Sequence, residues 1–288
     1  MIEDGAFHND PALKARAIAD AEAEAHAGWS ITATPEEREA LAQAYGLTSN
    51  FLSLIVSPRP MRQSRAAFIK EALEACEPGV DPDALVRDWM LAVWADPEIG
   101  AGTRLQGSAA WPAAEAIIAL VGSKPSAAVS RQAWRQARNA LISVKDLPPA
   151  AAAYATVATS MAWDPASTPT LAGDVWIAWE QAAIEEVGLS AGWPKSRENP
   201  LMEAVRACHR QVYEECGQPT EGESRAEHEA RVSARLDLAM AAAGIAEEME
   251  AFTTVGETVM APAFMAWAPQ AQATILEACR SARPVEPA

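Results

Sequence analysis

Two groups of side chains in this sequence have the types and spacing to hold an anion. In the first, Thr48, Ser49, Asn50 and Ser53 are short polar residues able to reach phosphate oxygens or base edges. Arg59, Arg62, Arg65 and Lys70 follow them. No Asp or Glu occurs from Ala40 through Lys70, so that window carries +4 inside a chain of net −16. A phosphate backbone rewards such clustering, because each neutralised phosphate releases counterions. In the second group, Arg131, Arg135 and Arg138 recur at spacings of four and three, which places three guanidinium groups on one helical face. They belong to a window, Ile99 to Val144, in which they join Arg104 and Lys124 against a single acid, Glu115. Two readings of that face stay open: an anion or nucleic-acid contact, or a surface neutralised by the acidic C-terminal half.

Groups for covalent or acid–base catalysis do not come together along the chain. There is no phosphate-cradling glycine loop, no HExxH and no Gly-x-Ser-x-Gly elbow. The histidines His8, His26, His209 and His228 share no ligand spacing. Glu22 and His26, four apart, are expected to face one another as a solvated pair. The cysteines Cys76, Cys208, Cys216 and Cys279 form no CxxC or zinc-finger pattern. Cys208 and Cys216 on one helix would be roughly 12 Å apart, beyond disulfide reach. No metal and no cofactor is expected, and a binding protein is favoured over an enzyme.

The elements that must position the first group have clear boundaries. Thr34, Pro35 and Glu37 form a capping box that opens a helix, with Leu41 and Tyr45 on one face. Gly46 supplies a left-handed stop, and Thr48 caps a second helix whose inward stripe is Leu52 and Ile55. Over Arg38 to Ser57 this pattern resembles the helix-turn-helix of repressors, which implies that Thr48, Ser49, Asn50 and Ser53 face DNA. Phe51 and Leu54 on the same helix need apolar cover, and that helix has no Arg. The stretch from 83 to 122, a helix ending in Ala95-Asp96-Pro97 and then an Ala-rich helix ending at Gly122, extends a resemblance over 34–122 to the small subunits of phage terminases. That resemblance implies recognition of double-stranded DNA by a ring-forming protein.

Half of the 288 residues are apolar, Ala is abundant, and period-two β-branched runs are nearly absent, so an all-α fold of helical hairpins and a bundle is predicted. Glu77-Pro78-Gly79 and Leu147-Pro148-Pro149 suggest three regions: 1–78, an intermediate one at 79–146, and an acidic helical one at 147–282. Residues 283–288 read as a disordered tail. No apolar run reaches membrane length and the N-terminus lacks a signal core, so a cytoplasmic location and no membrane partner are expected. Several Trp precede Pro, as in Trp163-Asp164-Pro165 and Trp267-Ala268-Pro269, consistent with aromatic covers at helix ends.

Three functional classes fit these observations. One is a DNA-binding regulator or packaging-type recognition subunit using residues 34–70. Another is an acidic interaction module that takes a protein partner or a second copy. The third is an enzyme or small-ligand binder with a Trp-lined cleft.

Overall fold

The computed structural model describes residues 5–59, 63–123, 130–220 and 222–285. They form an all-α fold: α1 Pro11–Glu22, α2 Pro35–Tyr45, α3 Ser49–Val56, α4 Arg65–Ala75, α5 Pro82–Ala95, α6 Ala101–Leu105, α7 Trp111–Val121, α8 Arg131–Ile142, α9 Pro149–Met161, α10 Leu171–Ser190, α11 Lys195–Cys216, α12 Arg225–Ala242, α13 Ala246–Val255 and α14 Ala261–Ser281. No strand occurs among the described residues, only a lone antiparallel bridge between Val80 and Pro284.

Helix starts follow local chemistry. Asp10, Thr34, Thr48, Ser64, Asp81, Ser130 and Ser224 each accept a first-turn N–H on a side-chain oxygen. The Thr34 capping box closes reciprocally: Thr34 N donates to Glu37 Oε2 over 2.8 Å and Glu37 N to Thr34 Oγ1 over 3.2 Å. Gly46 ends α2 at φ 60°, the left-handed conformation in which a side chain is strained.

The chain divides into two compact units, Met1–Ala183 with Met265–Ala288, and Ile184–Phe264. The divisions expected at 78/79 and 146/147 both fall inside the first unit. α3 packs on α5 across the first, and α6 and α7 pack on α9 across the second. The Pro-rich breaks end helices without separating cores, because the stripe Leu85, Trp89 and Val93 of α5 is fully covered.

α3 lies at the centre of the first unit, and all eight of its residues are buried. It packs against α2, α4 and α5. The start of α10 closes its remaining side, where Gly173 N donates to Ser53 Oγ over 3.1 Å. A Cβ at Gly173 would lie 2.8 Å from Ser57 Oγ, so the approach requires glycine. Further out, Trp176, Trp179 and Trp267 form a three-ring cluster with centroids 5.2 to 6.1 Å apart. Trp179 Nε1 donates to the Ile99 carbonyl and Trp89 Nε1 to Thr274 Oγ1. The cluster is filled core and offers no cleft between its rings: Trp176 and Trp179 are almost wholly inaccessible.

Three local expectations change. Pro269 does not stop a helix, because α14 runs through it to Ser281. His26 faces Asp20, at 3.5 Å, rather than Glu22, because α1 ends at Glu22 and that carboxylate takes Lys70 at 2.7 Å. Pro284 and Val285, read as tail, pair with Val80 and Gly79, with Val285 N donating to the Gly79 carbonyl over 2.8 Å.

In the second unit α11 and α12 form an antiparallel hairpin that α13 follows. Trp193 stacks edge-on against Phe252 at 5.2 Å and carries the Arg197 guanidinium 3.6 Å above its ring. Arg231 clamps Glu223 with two 2.9 Å hydrogen bonds at the hairpin turn. The carboxyl of Glu223, held by Arg231 and by the Thr220 N–H, is pulled down to about 2.

Candidate anion-binding site

The helix expected to read DNA cannot do so from where it lies. Ser49 is 7% exposed, Asn50 4% and Ser53 1%. Their polar atoms serve the interior: Ser49 Oγ donates to Glu39 Oε2 over 2.6 Å, Asn50 Nδ2 to the Pro165 carbonyl over 3.0 Å, and Ser53 Oγ to the Asn50 carbonyl over 2.9 Å. Thr48 is the N-cap of α3. The reason is the apolar content noted in the sequence. Phe51, Leu52, Leu54, Ile55 and Val56 cover more than half of the helix circumference, and the remaining polar strip of Ser49, Asn50 and Ser53 is covered by Glu39, Pro165 and Gly173.

The basic flank does not form one free face either. Arg59 stands 4.0 Å from Glu180, whose carboxyl is raised by burial, and the Arg59 carbonyl accepts from Gln272 Nε2. Lys70 bonds Glu22 at 2.7 Å and lies 3.9 Å from Glu74. Arg65 is partly buried in the first turn of α4. Arg62 and, in the second window, Lys124 lie outside the described residues.

The second basic group does converge. Arg131, Arg135 and Arg138 of α8 line one cleft of about 240 Å³ with Trp134, Trp163, Asp164 and Ser167. The flank of α8 beside them explains the orientation: Trp134 and Leu141 are buried where α8 packs on α7 and α9. The arginine face therefore turns outward. Trp163, just past the end of α9, is 45% exposed and carries the Arg138 guanidinium 3.7 Å from its ring centroid. None of the three arginines pairs with a carboxylate among the described residues. The cleft contains one carboxylate, Asp164, beside Ser167, whose hydroxyl donates to the Asp164 carbonyl over 3.2 Å.

This arrangement is unfavourable for the helix itself. Arg131 occupies the first position, where the peptide dipoles make the helix end positive, and no acid stands in that turn. Arg131 and Arg135 are like charges at i,i+4, a pairing that costs about 0.2–0.5 kcal/mol. An acidic protein that collects cations against local preference marks a place where an anion would relieve the conflict.

No family model, curated protein or solved structure matches this chain. The reading of the site therefore rests on its own geometry.

A second concave surface has the opposite sign. Asp88, Asp96, Glu98 and Glu277 rim a groove of about 530 Å³ between α5 with its following loop and α14, floored by Ala92, Ile99, Ala273 and Ala278. Asp96 is committed to structure, since its Oδ1 accepts from the N–H groups of Glu98 and Ile99. Among the described residues no group of three or more His, Cys, Asp or Glu is placed to hold a metal ion, and no helix is long and apolar enough to cross a membrane.

Sequence reasoning found the arginine face but not its partner wall. Trp163 was legible only as an aromatic before a proline, and nothing in residues 163–167 signals that they fold against α8.

Proposed function

We propose that this protein binds a phosphate-bearing polyanion, a nucleic acid strand, through the cleft of Arg131, Arg135, Arg138 and Trp163. The observation that carries the reading is the convergence of three guanidinium groups, unpaired with any carboxylate among the described residues, on one aromatic-walled cleft of a chain with net charge −16. Cation clustering supplies affinity through counterion release, while the acidic remainder opposes non-specific spreading along the strand. The DNA-binding reading thus moves from α3, whose polar side chains are buried, to α8.

Fluorescence polarisation with a short labelled DNA strand at low salt tests it. The triple substitution Arg131→Ala, Arg135→Ala, Arg138→Ala is expected to weaken binding at least tenfold. It should also flatten the log–log salt dependence by roughly 2, at about 0.7 per phosphate contact on a single strand. Absence of binding at low salt, or binding that survives the triple change, sinks the reading.

The acidic groove beside α14 supports a second reading, an interaction module that takes a basic protein segment. Replacing Asp88 and Glu277 by Lys would then abolish capture of a Lys/Arg-rich helical peptide while leaving polyanion binding intact. Unchanged peptide binding would exclude it.

A further inference from the structure

One buried cation has no counter-ion. The inward face of α2 is Arg38, Leu41, Ala42 and Tyr45, which puts the arginine at a position where an apolar side chain would fill the core. Arg38 is 8% exposed. Its Nη2 donates to the Ser30 carbonyl over 3.3 Å, and its buried Nε meets no acceptor. No carboxylate among the described residues pairs with it, so burial lowers its proton affinity with nothing to offset the loss. The adjoining acids are engaged elsewhere: Glu37 accepts from Thr34 N, and Glu39 from Ser49 and Gln43. A second orphan donor occupies the same corner. The single helical turn Ala27–Trp29 lies directly on α2, since a Cβ at Gly28 would stand 2.9 Å from the Glu37 carbonyl oxygen and 2.8 Å from Leu41 Cδ2. Trp29, next in the chain, is 3% exposed and stacks on Tyr45 with centroids 6.1 Å apart, yet its Nε1 donates to nothing.

We propose that this corner binds a small monocarboxylate through the Arg38 guanidinium and the Trp29 indole N–H. The site is separate from the α8 cleft and stands or falls independently of the polyanion reading. Both orphan groups are donors, so the ligand that completes them supplies acceptors. One guanidinium calls for one negative charge, and its planar fork matches the two oxygens of a carboxylate. The corner lies just beneath the surface rather than deep in the core. Ile31 and Thr32, which follow Ser30, are exposed, and Ile31 keeps 41% of its surface open as an apolar contact for the body of the acid. A buried ion without a partner is strongly destabilising, whereas an apolar side chain of similar volume is often neutral or better. An arginine kept on the inward face of α2 against that preference marks a place where a ligand completes the packing.

The test uses the full chain at neutral pH, with sodium acetate as the probe and sodium chloride at equal ionic strength as the control. Two readouts are taken: the indole N–H resonance of Trp29, assigned by its loss in Trp29→Phe, and Tm. Acetate is expected to move the Trp29 resonance saturably and to raise Tm, as a ligand of the folded state must. Chloride should do neither. Arg38→Met should weaken acetate binding about ten- to a hundredfold, the usual worth of a hydrogen bond to a charged group. The wild-type titration is decisive even if Arg38→Met does not fold. A Trp29 resonance that stays fixed in acetate overturns the proposal, whatever Tm does, because the anion would then bind elsewhere or not at all. Equal shifts in chloride or inorganic phosphate overturn the carboxylate assignment and reduce the corner to a generic anion patch. An acetate response retained in Arg38→Met also overturns it, because the anion would then bind without the guanidinium.

Discussion

Asn50 Nδ2 donates a 3.0 Å hydrogen bond to the main-chain carbonyl of Pro165, which ties the buried central helix α3 to the short turn between Trp163 and Ser167. A residue whose type suggested base reading instead anchors, from behind, the wall of the arginine cleft.

That connection has a measurable consequence. Asn50→Ala leaves the Pro165 carbonyl with only the 3.4 Å bond from Thr168 N, and stability should fall by about 1 kcal/mol in chemical denaturation. Strand affinity should fall as well, although Asn50 faces away from the cleft. If the variant is destabilised yet binds as the wild type does, the 163–167 turn is held independently of α3.

The close approach of α10 to α3 gives a second prediction. Gly173→Ala places a methyl group 2.8 Å from Ser57 Oγ and 3.3 Å from Ser53 Cβ. Overpacking of this kind costs about 1–3 kcal/mol and should appear as a lowered Tm. Adding Ser57→Ala removes the nearer clash, so the double variant should recover part of the loss. A double variant no better than Gly173→Ala would assign the cost to Ser53 or to the backbone.

Acid sensitivity should be local to the α11–α12 hairpin. Glu223 titrates at about 2 in the folded chain against an ordinary value of 4.5, because Arg231 and the Thr220 N–H hold its ionised form. The shift is downward, so the stabilisation is present in full above pH 4.5. It declines as pH falls from 4.5 toward 2. Amide protection around residues 216–231, taken relative to the intrinsic exchange rate at each pH, should therefore fall across that interval, and Glu223→Gln should remove that pH-dependent loss. Protection that stays constant in the wild type across that interval would show that the clamp contributes nothing to the turn.

Local grammar was legible in the sequence, and its tertiary use was not. The capping box at Thr34, the left-handed Gly46 and the caps at Thr48 and Asp81 all sit where backbone chemistry predicts, because each depends on neighbours within a few residues. The fate of α3 depended on counting its apolar sides. Leu52 and Ile55 make one stripe, but Phe51, Leu54 and Val56 widen it past half of the helix, and burial followed. The helices α6 and α13 carry little local signature, because the first is a single turn or so in a Gly-rich stretch and the second buries no residue. The spacing of Arg131, Arg135 and Arg138 was sufficient to define a face. Trp163 and Asp164 join it only through the return of α9 past α8, a pairing that no local pattern encodes.

The division of the chain also sets an order of events in synthesis. The first compact unit is interrupted: its last segment, from Met265, is made after the whole of Ile184–Phe264. At about 5–20 residues per second, several seconds separate the appearance of Trp176 and Trp179 from that of Trp267, the ring that completes their cluster. Thr274, the acceptor for Trp89, and Val285, the partner of Gly79, arrive later still. During that interval two indoles and the α5 face wait without their cover. Truncation before α14 is therefore expected to leave Trp176, Trp179 and the α5 face uncovered, giving an aggregation-prone product rather than a shorter stable domain.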